Sequence, residues 1–236
     1  MQIDVTFDFR TDSRGKDPDS ASSSLKAMHA ELWSKPLPNG EILQLSDKGP
    51  GPYLTYVGSM GKHFLSSDSI ANSYANRKRL SSLLNKIEPS LISSFRNLNS
   101  TLGAFIVFPG NRINGKATIN GERGFNNLIA DRFDLTLECI RRHYLGADSP
   151  LEAVLNRYGE FFSLFDNFKF YVDYFLLNDL VSKDYSVVRY FNSIPEVFVD
   201  SPLPNSVESY LMYREGSMAF VRNRNVRIER WAKNGQ

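Results

Sequence analysis

The chain has little of the chemistry that most often makes a site recognisable in a sequence. Its 236 residues include one cysteine, Cys139, and three histidines, His29, His63 and His143. A single cysteine excludes an intramolecular disulfide framework and any zinc site built on several cysteines. The three histidines have no metal-binding spacing, so a zinc enzyme is not expected.

Long apolar runs are also absent. No stretch approaches the roughly 20 apolar residues of a membrane span. The first residues, MQIDVTFDFR, carry acidic side chains where a signal peptide has basic ones followed by an apolar run. We therefore expect a cytoplasmic protein that makes no membrane contact.

The charges balance, with 28 basic against 26 acidic residues and a formal net charge of +2. This balance excludes a strongly basic nucleic-acid binder of the histone kind, but it leaves room for a local basic patch. Walker-loop and dinucleotide-binding spacings are missing, and no G-x-S-x-G nucleophile motif occurs.

Apolar and aromatic residues are plentiful. Hydrophobic residues make up 42% of the chain and aromatic ones 13%, including 17 Phe and 11 Tyr, so we expect a large, ring-rich core. The length suits one domain over 1–236, rich in strands over about 1–125 and in helices over about 126–236.

Hydrophobic periodicity predicts an α+β fold, with a small, mostly antiparallel sheet packed against aromatic-rich helices. Asn-Gly pairs at 114–115 and 120–121 predict two hairpins around a very short strand. Other strands are predicted at 3–9, 41–45, 53–57, 101–108 and 185–191. Helices are predicted at 25–33, 69–86, 89–97, 126–144, 151–157 and 206–233, with a buried aromatic stretch at 161–180.

The segment 108–144 carries the densest set of candidate site residues. Its glycines allow close backbone approach, and Arg112, Lys116 and Arg123 lie among them before the predicted helix 126–144. With Asn126 and Arg132, these side chains could hold a phosphate or carboxylate near the helix start. The alternative is a set of hairpins whose turns simply need Asn-Gly.

The predicted helix that follows has a polar face formed by Asp131, Asp134, Glu138 and Arg141. Such i, i+3 and i, i+4 spacings commonly make solvated ion pairs. If the face lines a pocket instead, Asp134 and Glu138 could bind a divalent metal or act as a general base, with Arg141 beside them. Near the amino terminus, Arg10 is the further candidate, at the predicted rim of the sheet.

The segments FPGNRINGK, TINGERGFN and DRFDLTLECIRRHY, with LWSKPLPNG and YVDYFLLNDLV, carry a resemblance over nearly the whole chain. With them the sequence resembles a family of uncharacterised bacterial proteins, a domain of unknown function found as single-domain chains of similar length. The resemblance implies a bacterial origin and one indivisible domain. It implies no reaction, cofactor or catalytic residue.

Two hypotheses of function follow. In the first, the protein binds a phosphate-bearing ligand, a nucleotide or nucleic acid, and acts on it by hydrolysis or group transfer. Arg10, Asp131, Asp134, Glu138 and Arg141 would then line one pocket. In the second, it is a non-catalytic interaction or regulatory protein of a bacterial operon or mobile element. Its contact surface would be the stretch 161–180 or the basic terminal helix.

Overall fold

The computed structural model describes residues 2–49, 51–58, 61–192, 197–198 and 202–234. The strands are β1 Leu45–Ser46, β2 Leu54–Gly58, β3 Gly61–Ser69 and β4 Phe105–Pro109. The helices are α1 Arg10–Ser13, α2 Pro18–Ala21, α3 Ser23–Trp33, α4 Ser81–Leu84, α5 Pro89–Leu98, α6 Ile119–Phe125, α7 Phe133–Tyr144, α8 Glu152–Arg157, α9 Gly159–Ser163, α10 Phe168–Tyr174 and α11 Val207–Asn234.

The four strands form one antiparallel sheet in the order β1-β2-β3-β4. β4 is buried along its whole length, as its sequence FIVFP requires. The helices around the sheet make the protein mixed, so the expected α+β class is confirmed.

Strand β3 lies between two helices that contact its opposite faces. On one face, Ser67 hydrogen-bonds His29 of α3 over 3.0 Å. On the other, Ser66 accepts a hydrogen bond of 3.1 Å from Asn120 of α6. Because neighbouring side chains of a strand alternate between its faces, β3 carries polar groups towards both helices.

The aromatic helices pack ring against ring. The Phe165 ring lies 5.4 Å from that of Tyr171 and 5.0 Å from that of Tyr174, centroid to centroid, in edge-to-face arrangements. Tyr171 and Phe175 continue the cluster at 5.0 Å. The aromatic-rich helical part of the prediction is confirmed.

Several helices begin and end near the predicted positions. Ser22 caps α3 by accepting a hydrogen bond from the Leu25 amide, and Pro89 begins α5 at its first turn. Helices α8 and α11 also agree with the prediction. No helix in the described ranges combines the length and apolar character needed to cross a membrane.

Two of the predictions for the amino-terminal half are wrong. Residues 3–9 form no strand, because Asp4 and Asp8 bind backbone amides two residues further on and bend the chain into local turns. The helix predicted at 69–86 shrinks to Ser81–Leu84, because Tyr74 has a φ of 56° and its amide donates to Asn72 Oδ1.

The two hairpins are also wrong. Thr118 caps α6 by accepting from the Gly121 amide, so residues 119–125 form a helix where a strand and a second turn were expected. The Asn114-Gly115 pair does turn the chain, with φ of 53° and 70°, but no strand pair flanks it. A side-chain cap therefore overrides the Asn-Gly signal.

Helix α7 starts at Phe133, seven residues later than predicted. Ala130 and Asp131 both have positive φ, 50° and 64°, which ends any helical run before them. The strand predicted at 185–191 is wrong. Within this described segment only Val188 pairs, in an isolated bridge with Val181.

Candidate functional site

A polar cleft of about 590 Å³ opens where α1 and α2 meet the end of β3. Four aspartates line it: Asp17, Asp19, Asp68 and Asp131. Three basic side chains line it as well: Arg10, Lys16 and Arg96. We call this space the cleft.

One guanidinium, that of Arg123, lies beneath the aspartates and is fully buried. Its Nη1 donates to Asp68 Oδ2, and its Nη2 lies 3.8 Å from Asp131 Oδ1. Its Nε donates to Thr136 Oγ1 over 2.8 Å. Burial lowers the pKa of Arg123, but the charges of Asp68 and Asp131 outweigh this and raise it, so the side chain stays cationic.

Asp19 enters the cleft from α2. Asp17 caps this short helix and accepts a 3.2 Å hydrogen bond from the Asp19 amide, while Pro18 occupies the first helical turn. Asp19 keeps part of its surface in solvent, but its Oδ1 atom is buried and has no hydrogen-bond partner among the described residues. Burial, followed by the nearby charge of Asp68, holds the pKa of Asp19 well above its usual range.

Asp68 comes from the end of β3, with only 15% of its side chain exposed. Burial raises the pKa of Asp68 to about 7, against the opposing influence of Arg123. The like charge of Asp131 also raises the pKa of Asp68. The cleft thus holds more carboxyl groups than one guanidinium neutralises, and two of them titrate far above an ordinary aspartate.

The backbone at the rim of the cleft is held in an unusual conformation. Asp131 and its neighbour Ala130 both have left-handed φ values, as does Tyr74 on the opposite segment. Asn72 Nδ2 ties the two segments together by donating to Asp131 Oδ2 over 2.9 Å. Arg77 donates to the Ala130 carbonyl over 2.9 Å. Such strain in non-glycine residues is concentrated at functional sites.

Polar groups on the α5 side complete the lining. The side-chain amide of Asn99 is buried, and neither its oxygen nor its nitrogen has a hydrogen-bond partner in the described ranges. Lys16 and Arg96 are exposed and make no side-chain hydrogen bond or ion pair with described residues. Arg10 is instead held by Asp8, and donates to Asn97 Oδ1 over 2.9 Å.

His29 lies beside the cleft but cannot act as a base there. Trp33 Nε1 donates to His29 Nδ1 over 2.8 Å, so the ring proton is on Nε2, which donates to Ser67 Oγ. Burial lowers the pKa of His29 to about 3, so the ring is neutral.

The candidate residues predicted from the sequence are divided by the fold. Arg10 and Asp131 line the cleft, and Arg123 supports it from below. Arg112 and Lys116 are exposed, and neither lines the cleft. The Asn126 side chain makes hydrogen bonds to backbone: it accepts one from the Leu128 amide over 2.9 Å and donates one to the Pro150 carbonyl over 3.2 Å.

The other predicted residues form separate ion pairs. Asp134 and Arg132 pair with both side chains at 0% exposure. Glu138 pairs with Arg141 at 2.8 Å and with Arg142 at 2.9 Å, and neither Asp134 nor Glu138 lines the cleft. The five residues that the first hypothesis placed in one pocket therefore do not converge, because the cleft is lined by Arg10 and Asp131 but not by Asp134, Glu138 or Arg141. Within the described chain, no group of three or more His, Cys, Asp or Glu side chains has an arrangement that could hold a metal ion.

Sequence reasoning did not select Asp19, Asp68 and Asn72 as site residues. The signals were weak: Asp17-Pro-Asp19 resembles an ordinary turn, and Ser66-Ser-Asp68 resembles a helix start. Only the packing of α2 against β3 brings these two segments together.

These features define an α+β protein in which a partly buried cluster of aspartates surrounds a buried arginine and opens onto a polar cleft. Residues 3–228 match a family of unknown function, DUF6994, and the chain belongs to this family. Neither a curated protein nor a solved structure matches the chain.

Proposed function

We propose that the protein binds a phosphate-bearing ligand, a nucleotide or nucleic acid, in the cleft, and that it acts on this ligand by hydrolysis or group transfer. The observation that carries this proposal is the pair Asp19 and Asp68, two carboxyl groups with raised pKa values that share a cleft above one buried guanidinium.

The pair suits general acid–base chemistry because the environment separates the roles of its two members. Asp68, with a pKa of about 7, accepts a hydrogen bond from Arg123, which stabilises its ionised form and suits it to act as the base. Asp19 Oδ1 is buried without a described hydrogen-bond partner, and burial holds the pKa of Asp19 well above its usual range, which suits Asp19 to keep a proton and act as the acid. Two carboxyl groups held in different protonation states can serve as base and acid in one step.

The proposed step is the hydrolysis of a phosphate ester. Asp68 takes a proton from water while the water oxygen bonds to phosphorus. The bond from phosphorus to the leaving oxygen breaks, and that oxygen receives the proton of Asp19. The sum is one water added across one ester bond, after which the two carboxyl groups exchange a proton with solvent. In a group transfer, an acceptor hydroxyl takes the place of the water.

The basic side chains at the rim provide the binding half of the proposal. Lys16 and Arg96 are exposed and unpaired among the described residues, so they are available to a phosphate. The amides of Asn72 and Asn99 line the same cleft and suit the hydroxyl or carbonyl groups of a nucleoside.

A thermal-unfolding screen with nucleotides and single-stranded oligonucleotides tests the binding. A ligand at 100 times its dissociation constant is expected to add about 2.7 kcal/mol of stability. Arg96→Gln should lower this stabilisation, whereas Arg222→Gln, an exposed arginine on α11, should not. The hits are then assayed for turnover with wild type and Asp19→Asn, which should bind but not turn over. Failure of every ligand to shift the transition would reject the proposal.

The second candidate, a non-catalytic regulatory partner of another protein, is favoured by a different observation. On α11, Arg222, Val226 and Arg230 recur at intervals of four residues and are all exposed, so they form one face. By contrast, Phe162 and Phe165 of the aromatic stretch are fully buried, which leaves the terminal helix as the better contact surface. The comparison is between the variants and a deletion of the gene in cells. If Arg222→Glu reproduces the phenotype of the deletion while Asp19→Asn does not, this candidate replaces the first.

A further inference from the structure

A second cavity, of about 470 Å³, lies on the face of β3 that contacts α6. The neighbouring rings of Tyr53 and Phe64 line it, and Arg112 lines it as well. We call this space the aromatic pocket. None of its described lining residues is acidic, whereas four aspartates line the cleft.

Three polar side chains of the aromatic pocket, those of Ser66, Asn111 and Thr118, use an acceptor within the protein and leave a donor available. Asn111 Oδ1 accepts from the Phe64 amide over 2.7 Å, and this leaves the Asn111 side-chain NH₂. Ser66 Oγ accepts from Asn120 over 3.1 Å, and Thr118 Oγ1 accepts from the Gly121 amide over 3.3 Å. Each hydroxyl therefore has its own proton to donate.

The charged side chains near the aromatic pocket are cationic, and they favour the same kind of ligand as its hydrogen-bond donors. The Arg112 side chain is exposed and makes no hydrogen bond or ion pair with a described residue. Lys62 does not line the pocket, but its Nζ lies 5.1 Å from the centre of the Phe64 ring, so a second cation is close by. Donors and cations without a carboxylate select an anion, and a planar guanidinium suits a phosphate.

The rings give the aromatic pocket a second kind of surface. Tyr53 and Phe64 lie 6.0 Å apart at an interplanar angle of 49°, and 37% of Tyr53 is exposed. The Tyr53 ring packs so closely on Gly110 that a Cβ there would lie 2.5 Å from Tyr53 Cε1. The ring is therefore fixed by the backbone beneath it. Its remaining surface can stack on the planar face of a base.

We propose that the aromatic pocket is a binding site for a nucleoside monophosphate, with the phosphate on Arg112 and the base against Tyr53. This site is separate from the cleft and does not depend on the proposed reaction there. Asn120 Oδ1, a buried acceptor with no described partner, is the group that would receive an N–H of the base.

The test is a titration followed by ¹H–¹⁵N NMR, in which the Gly110 amide and the side-chain amides of Asn111 and Asn120 report on this pocket alone. The probes are AMP, adenosine and inorganic phosphate. We expect AMP to move these signals with a dissociation constant at least tenfold lower than that of phosphate. Adenosine alone should bind more weakly than AMP.

Two variants separate the contributions. Arg112→Gln should weaken both AMP and phosphate at least tenfold, and Tyr53→Leu should weaken AMP while leaving phosphate binding unchanged. Arg96→Gln, in the cleft, should leave these signals and their titration as in wild type. The proposal is overturned if AMP leaves the pocket signals unmoved, if AMP binds no more tightly than phosphate, or if Arg112→Gln has no effect. Each of these results leaves the cleft proposal unaffected.

Discussion

Two buried arginines, nine residues apart in the chain, have opposite surroundings. Arg132 faces one carboxylate, Asp134, and both side chains are completely enclosed. Asp134 also accepts two hydrogen bonds from backbone, one from the Leu135 amide over 3.1 Å and one from the Phe191 amide over 2.9 Å. Arg123 instead faces Asp68 and Asp131, with Asp19 close by, in a cleft that solvent reaches.

The difference between the two clusters separates a structural ion pair from a candidate site. In the Arg132–Asp134 pair, one positive charge balances one negative charge, and neither side chain is exposed to solvent. Around Arg123, burial is the main cause that raises the pKa values of Asp19 and Asp68, and the neighbouring carboxyl groups, which outnumber the guanidinium, raise them further. Perturbed carboxyl groups in a cleft are concentrated at functional sites, which makes the Arg123 cluster the candidate site.

The largest effect is expected at the enclosed pair. Arg132→Met leaves Asp134 buried without its cation, which should lower the free energy of unfolding by about 3–5 kcal/mol. Urea denaturation at pH 7 measures this change. A loss below about 1 kcal/mol would show that the pair is not a principal structural contact.

A smaller and pH-dependent loss is expected at the open cluster. Arg123→Met should cost about 3 kcal/mol at pH 8. The cost should be smaller at pH 5, because the aspartates around it can take up protons in the folded state. Urea denaturation at both pH values provides the comparison, and Arg132→Met is the control that should show the weaker dependence on pH. Equal losses at the two pH values would contradict the distinction between the clusters.

Asp68 should make wild-type stability depend on pH. Its folded pKa of about 7 lies above the ordinary value of 3.8, so the folded state holds the proton more tightly than the unfolded state. Its contribution is full below about pH 4 and is lost as the pH rises through about 7. In Asp68→Asn this loss should be smaller by an amount on the order of 2 kcal/mol. Denaturation curves at pH 4.5 and pH 8 measure it, and parallel pH profiles would contradict it.

The smallest effect on stability is expected at the rim. Arg96→Gln removes an exposed side chain that has no described partner, so the free energy of unfolding should change by less than about 0.5 kcal/mol. Ligand binding in the cleft should nevertheless weaken, and more so at low salt. Calorimetric titration at two salt concentrations checks this. A stability loss without a binding change would make Arg96 a structural residue.

Local sequence patterns predicted the helices that carry a clear apolar stripe or cap. Ser22 and Pro89 mark the starts of α3 and α5, and their signals act over one turn of chain. The same local signals failed at Asn120-Gly121, where the Thr118 cap decides the conformation. They also failed before Phe133, where two residues take positive φ.

The site was harder to predict because it depends on contacts between distant segments. Asp19 and Asp68 are far apart in the chain, and nothing in either segment encodes the other. Asp134 and Glu138 have the spacing of a solvated helix face, yet Asp134 is fully enclosed by Arg132 and backbone. Periodicity does not distinguish a buried paired charge from an exposed one.

The most direct test is a measurement of the carboxyl pKa values of Asp19 and Asp68 by ¹³C NMR, with Asp19→Asn and Asp68→Asn used to assign the signals. Because the two groups interact, the pair should titrate in two steps, both well above the ordinary range of an aspartate and one of them near pH 7. In Asp19→Asn, the step near pH 7 should persist. If both carboxyl groups in wild type titrate below pH 5, neither holds a proton at neutral pH, and the cleft has no acid–base pair.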